Sequence, residues 1–128
     1  MAMNSSNWIF LAIVAVFLVF FLLKRASFAS GEDVEAALKA GALIIDVRTP
    51  GEHAGGHLPG VTNVPLDQLA QRIEQLEPNR ERPIALHCLS GARSASGAAT
   101  LKRMGYKHVY NLGSYGRAEK LLGNRKVE

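Results

Sequence analysis

Hydrophobic and polar positions divide this chain into two parts. Trp8 to Leu23 is sixteen apolar residues without a charge, a glycine or a proline. At a rise of ~1.5 Å per residue such a helix reaches roughly 24 Å. A hydrocarbon core is ~30 Å thick, and polar or aromatic flanks can make up the shortfall. Asn7 and Trp8 suit one interface, and Lys24 and Arg25 can snorkel at the other. The run shows no polar face, as a buried helix of a soluble domain would. It predicts a transmembrane helix over 8–23. A cleaved signal peptide is the alternative: Ser27-Phe28-Ala29 offers a small-residue pattern, but the basic residues follow the apolar run instead of preceding it.

After a linker over 24–29, the pattern alternates between short apolar runs and helical spacings. Ser30 and Asp33 resemble a capping box opening a helix through Glu35–Leu38, which closes at Gly41. Ala42–Val47 is a short branched run, the mark of a buried strand. Thr49-Pro50-Gly51 breaks it, and Gly55, Gly56, Pro59 and Gly60 predict a loop. Val61–Val64 predicts a short strand ended by Pro65. Leu66, Leu69, Ile73 and Leu76, spaced 3, 4 and 3 apart, mark one face of a helix. Beyond the turn at Pro78–Pro83, Ile84–His87 predicts a strand running into Cys88. A helix over Ser94–Met104, a strand over His108–Leu112, a loop over Gly113–Gly116 and a helix over Arg117–Leu122 complete the domain, 30–123. Residues 124–128 form a tail. Strands alternating with helices predict an α/β fold, a mainly parallel sheet with helices on both faces.

Charge adds little to this picture. The formal net charge is +4, and Lys24 and Arg25 at the membrane flank supply two of those charges. No Lys/Arg stripe with interleaved aromatics is present, so nucleic acid is not an expected partner. Positive charge concentrates on the cytoplasmic side of membranes, which predicts a single-pass protein with its N-terminus outside and its domain in the cytoplasm.

The single cysteine changes the picture more. It excludes an intrachain disulfide and leaves Cys88 as either an inert buried thiol or a reactive one. Its position favours reactivity. Cys88-Leu89-Ser90-Gly91-Ala92-Arg93-Ser94 lies between the end of a predicted strand and the start of a predicted helix, where open α/β sheets bind ligands. Backbone N–H groups of such a loop form an anion nest aided by the helix dipole. Gly91 can take a positive φ, and Arg93 adds positive charge. These effects favour thiolate over thiol.

This segment resembles the C-x-x-G-x-R-S active loop of single-domain rhodaneses. Three further stretches resemble the same family in the same order: Leu43 to His53 its I-D-V-R-x-x-x-E strand and turn, Gly56 to Pro65 its G-H-I-P-G-A-x-N-I-P stretch, and Met104 to Leu112 its later helix end and strand. The resemblance implies a five-element parallel sheet with Cys88 at the base of a pocket. It also implies a sulfurtransferase: Cys88 accepts sulfur from thiosulfate or a persulfide, and an external thiol or cyanide removes it. Leu89, Ser90, Gly91, Ala92, Arg93 and Ser94 would line the substrate site, with no cofactor and no metal. One stretch departs from the family. Gly113-Ser114-Tyr115-Gly116-Arg117-Ala118 lacks the usual G-G and following Trp, so Tyr115 and Arg117 are candidate substrate contacts.

Other residues read as structural. Arg93 can brace the loop through a carboxylate or touch substrate. Asp46 and Arg48 suit a strand end, and Glu52 and His57 suit turn hydrogen bonds. The glycines and proline around His53 and His57 argue against a helical metal pair, and His87 on a strand faces away from its neighbour. Two other functions remain in view. One is a tyrosine or dual-specificity phosphatase, whose cradle has five residues between Cys and Arg where this chain has four, with an arsenate reductase of this fold as a related possibility. The other is a membrane-tethered, non-catalytic recruitment module of the same fold.

Overall fold

The computed structural model of the protein describes residues 4–26 and 28–123. The tail over 124–128 and residue 27 of the expected linker and cleavage pattern lie outside them. Helix α1 spans Ser5–Ala26, and its 22 residues correspond to about 33 Å. It is long and apolar enough to cross a membrane, and its side chains are exposed along Asn4–Leu23.

The domain runs α2 (Gly31–Lys39), β1 (Leu43–Asp46), α3 (Pro50–Ala54), β2 (Thr62–Asn63), α4 (Leu66–Leu76), β3 (Ile84–His87), α5 (Ala92–Arg103), β4 (Val109–Gly113) and α6 (Tyr115–Gly123). Four parallel strands stand in the order β2-β1-β3-β4. The order turns back beside β1, which places a crevice beyond the C-terminal ends of β1 and β3.

Strand alternation sorts the core into two layers. Ile45, Ile84, Leu86 and Cys88 face Leu69 and Ile73 of α4 and Ala98 and Leu101 of α5. Ile44, Ala85 and Leu112 face Val34 of α2 and Ala118 and Leu122 of α6. Each fully buried Leu or Ile contributes about 1.5–3 kcal/mol. Gly97 of α5 allows close packing: a methyl group there would stand 3.1 Å from Leu69 and 3.2 Å from Leu86.

Three expectations are corrected. Residues 50–54, expected to be a break and loop, form helix α3, because Pro50 sits where its missing N–H costs nothing and Thr49 caps the helix reciprocally with Glu52. The full capping box is therefore here, whereas Ser30 contributes only the forward bond, accepting from the Asp33 N–H at 3.2 Å. The sheet has four strands among the described residues instead of five. Beside β4, the Ala29 N–H donates to Asn111 O at 3.0 Å. Within the expected linker over 24–29, α1 continues to Ala26, and Phe28 and Ala29 pack on the domain.

Candidate active site

The loop leaving β3 turns directly into α5, and Cys88 is fully buried at its base. Gly91 caps the helix with φ +99°, in the left-handed region open to glycine. This turn directs the Gly91 N–H at Cys88 Sγ, 3.0 Å away. Ser94 Oγ, one turn into the helix, lies 3.5 Å from Sγ. It also lies 3.1 Å from Gly91 O and 3.4 Å from Gly113 O. A hydroxyl so placed can accept from a thiol while donating to a carbonyl, or rotate to donate to a thiolate.

Burial works against the Cys88 thiolate. The Ser94 hydroxyl and the backbone N–H groups of Ser94, Gly91 and Ser90 outweigh it, holding the thiol below its ordinary value. Behind the sulfur, the Cys88 N–H donates to Gly113 O at 3.2 Å and the Tyr115 N–H to Leu89 O at 3.1 Å, tying the loop to the end of β4. The seven expected residues thus divide. Cys88, Gly91 and Ser94 are buried at the sulfur, Leu89, Ser90 and Ala92 form an exposed rim, and Arg93 is half-buried. Leu89 is 58% exposed beside the buried sulfur.

Arg93 braces the loop. Its Nη1 and Nη2 donate to the two carboxylate oxygens of Glu52 at 2.6 and 3.0 Å. Those bonds hold the Glu52 carboxyl down to about 2. Glu52 is itself fixed by the Thr49 capping box, so α3 serves as a bracket for the cysteine loop.

A second pair lies beneath. Arg48 Nε and Nη2 donate to Asp46 at 2.8–3.0 Å, its N–H donates at 2.9 Å, and Nη2 also donates to Gly56 O at 2.8 Å. His53 Nδ1 completes the Asp46 cluster at 2.9 Å. Burial would raise the Asp46 carboxyl, but Arg48 and His53 overcome it and leave it lowered. Asn63 donates to the carbonyls of Asp46 and Arg48 at 2.9 and 3.0 Å, so β2 locks the same corner.

The histidines fall outside the sulfur cradle. His53 and His57 stack at 3.9 Å, with His53 engaged by Asp46 and His57 hydrogen-bonded to the His53 carbonyl. Among the described residues no group of three metal-ligating side chains forms. His87 belongs to the other sheet face, edge-on to Tyr115 at 5.8 Å, and burial holds its pKa below the ordinary imidazole value. Tyr115 lies under the Arg48 guanidinium at 4.9 Å. Arg117 donates to Leu112 O at 2.9 Å and to Ala29 O, so it ties the chain after α1 to the end of β4.

The residue that sequence reasoning missed at this site is Phe28. Its ring lies against Gly91 and Gly113, with the Arg117 guanidinium 5.6 Å from its centre. The available signal was one aromatic among the small residues Ala26, Ser27, Ala29 and Ser30.

A rhodanese-like domain model matches residues 30–116, which include the whole cysteine loop. The chain belongs to the rhodanese-like family. The uncharacterized protein YqhL of Bacillus subtilis (strain 168) is 36% identical over 115 residues, 84% of this chain and 87% of that protein. Thiosulfate sulfurtransferase PspE of Escherichia coli (strain K12) is 35% identical over 69 residues, 54% of this chain and 66% of PspE. Among solved structures, a rhodanese with anions from E. coli superposes with a TM-score of 0.58 at 31% identity, covering 60% of this chain and 91% of that one.

Proposed function

We propose that this rhodanese-like domain is a sulfurtransferase in which Cys88 carries the sulfur. The observation that carries the reading is the buried Sγ with the Gly91 N–H aimed at it from 3.0 Å. In the first half-reaction the Cys88 thiolate attacks the outer sulfur of thiosulfate. The S–S bond breaks, sulfite leaves with the electron pair, and a Cys88 persulfide remains. A persulfide donor reacts likewise and loses a thiolate. In the second half-reaction a thiolate or cyanide attacks the terminal sulfur and releases the Cys88 thiolate. Backbone N–H groups suit this chemistry because the sulfur is anionic in both resting and loaded states. The chain has one cysteine, so the persulfide cannot collapse to an internal disulfide and the acceptor comes from outside. The likeness to PspE supports the same reading.

The tether gives the reaction a place. We read α1 as a membrane anchor with the domain on the cytoplasmic side, from Lys24 and Arg25 after the apolar run. From Leu23 to Ala26 the helix rises about 4.5 Å. Two further Cα steps reach Phe28 within about 7.6 Å. Phe28 therefore lies within about 12 Å of the last apolar residue, against an interfacial layer of roughly 6 Å. Such closeness favours an acceptor at the membrane surface.

A phosphatase reading is disfavoured by Arg93, whose guanidinium is engaged by Glu52. Initial-rate kinetics with thiosulfate and cyanide test the sulfurtransferase proposal. The expected result is the parallel-line pattern of a ping-pong mechanism, lost in Cys88→Ser. Intersecting lines, or activity that survives Cys88→Ser, would contradict it.

A further inference from the structure

Two glycines hold Cys88 from opposite sides. Gly91 supplies the N–H that meets the sulfur, and Gly113 supplies the carbonyl that accepts from the Cys88 N–H. One side chain touches both. A methyl group on Gly91 would lie 2.8 Å from Cζ and 2.9 Å from Cε1 of Phe28, so the ring edge occupies the open side of that glycine. A methyl group on Gly113 would lie 3.5 Å from Cδ2 and Cε2 of the same ring. The two glycines also approach each other, for the same methyl on Gly91 would stand 3.3 Å from Gly113 Cα.

The ring is held in turn. Ala29, the next residue, is fixed through its N–H to Asn111 and through its carbonyl to Arg117. The Arg117 guanidinium faces the ring and donates to Leu112 O beside Gly113. Phe28 is therefore a wedge joined to a fixed residue, Ala29, and pressed where the cysteine loop meets the end of β4. Glycine takes the left-handed turn freely and leaves the side where a Cβ would stand open to rotation, so a group packed there limits the movement of the Gly91 peptide. The phenyl edge occupies that side, beside the bonds that Ser94 and Ala95 make to the Gly91 carbonyl.

We infer that Phe28 is a positioning residue for the sulfur site, keeping the Gly91 turn closed so that its N–H stays aimed at Cys88 Sγ. The residue acts through Gly91 and Gly113, and it belongs to the segment that joins the apolar helix to the domain. The inference rests on Cys88 as the sulfur carrier only for the purpose that the aimed sulfur serves.

The test is the pH profile of Cys88 alkylation by iodoacetamide, measured on the full chain in mild detergent. It reads thiolate formation directly and needs no sulfur transfer, so failure of the sulfurtransferase reading would leave it intact. Phe28→Ala is expected to move the profile to higher pH by about one unit, slowing alkylation roughly ten-fold on the limb below the parent's midpoint. Phe28→Leu, which keeps most of the bulk, is expected to restore the parent profile. A Phe28→Ala profile that superimposes on the parent, with or without a lower melting temperature, would overturn the inference. If Phe28→Ala does not fold, Phe28→Tyr and Phe28→Leu decide. Tyrosine adds its hydroxyl at Cζ, the atom against Gly91, and is expected to displace the profile where leucine does not. Equal profiles for the two would overturn it.

Discussion

Two of the molecule's arginine–carboxylate pairs, Asp46–Arg48 and Glu52–Arg93, brace the candidate site, and they differ in burial. At the Asp46–Arg48 pair the side chains are 0% and 7% exposed, and the partners are two residues apart at the end of β1. At the Glu52–Arg93 pair the side chains are 30% and 35% exposed, and the partners are separated by 41 residues. The inner pair fills a corner that β2 closes through Asn63. The outer pair joins two elements, α3 and the cysteine loop. The same chemistry thus stabilises a fold in one place and aims a loop in the other, and burial decides which role dominates.

The largest expected effect separates the roles most sharply. Asp46→Ala leaves Arg48 buried without its partner and should cost about 3–5 kcal/mol of stability, read by urea denaturation. If Asp46→Ala unfolds at the parent midpoint, the inner pair is not the fold's brace. Glu52→Gln should leave the denaturation midpoint near that of the parent while sulfur transfer falls on the order of 10²-fold, as misplacement of a catalytic loop by about 1 Å does. A large stability loss with normal turnover would erase the distinction between the pairs. Arg93→Lys retains the charge without the planar fork and should lose part of the activity, less than Glu52→Gln does. Parent-level turnover in Arg93→Lys would show that charge alone suffices.

The smallest effects concern pH. Glu52 is lowered from 4.5 to about 2, so the outer pair's contribution is present above the unfolded value and fades as pH falls toward about 2. Acid should therefore not open the outer pair in the neutral range, and the Arg93→Lys deficit should be constant from pH 6 to 8. Cys88 is also lowered, so thiolate stabilisation is fully present above the ordinary thiol range and is lost as pH falls through the folded value. Alkylation should accordingly persist below the pH at which an unfolded cysteine stops reacting. A profile matching that of the urea-unfolded chain would contradict the aimed N–H groups.

Local pattern made most of this legible. The apolar run marked α1, the Leu66–Ile73 spacing marked α4, and the Cys88–Ser94 loop lay where a strand met a helix. What escaped depended on contacts distant in sequence. Thr49-Pro50-Gly51 reads as a break from composition, yet Thr49 as cap and Pro50 at the first helical position start α3. Arg93 had two open readings until Glu52, far along the chain, was seen to hold it. Phe28 reads as linker from sequence: a lone aromatic among small residues marks a packed side chain but not its contact with Gly91, 63 positions on. The five-element sheet that the resemblance implied has four strands among the described residues, and Ala29 adds a backbone bond to Asn111 beside β4.

The measurement that tests the central claim most directly is the intact mass of the full chain in detergent after brief exposure to thiosulfate. The account predicts a gain of about 32 Da, one sulfur atom, that is absent in Cys88→Ser and removed by excess thiol. No gain from thiosulfate, glutathione persulfide or a protein persulfide would mean that Cys88 does not carry sulfur, and the recruitment role would then explain the domain better.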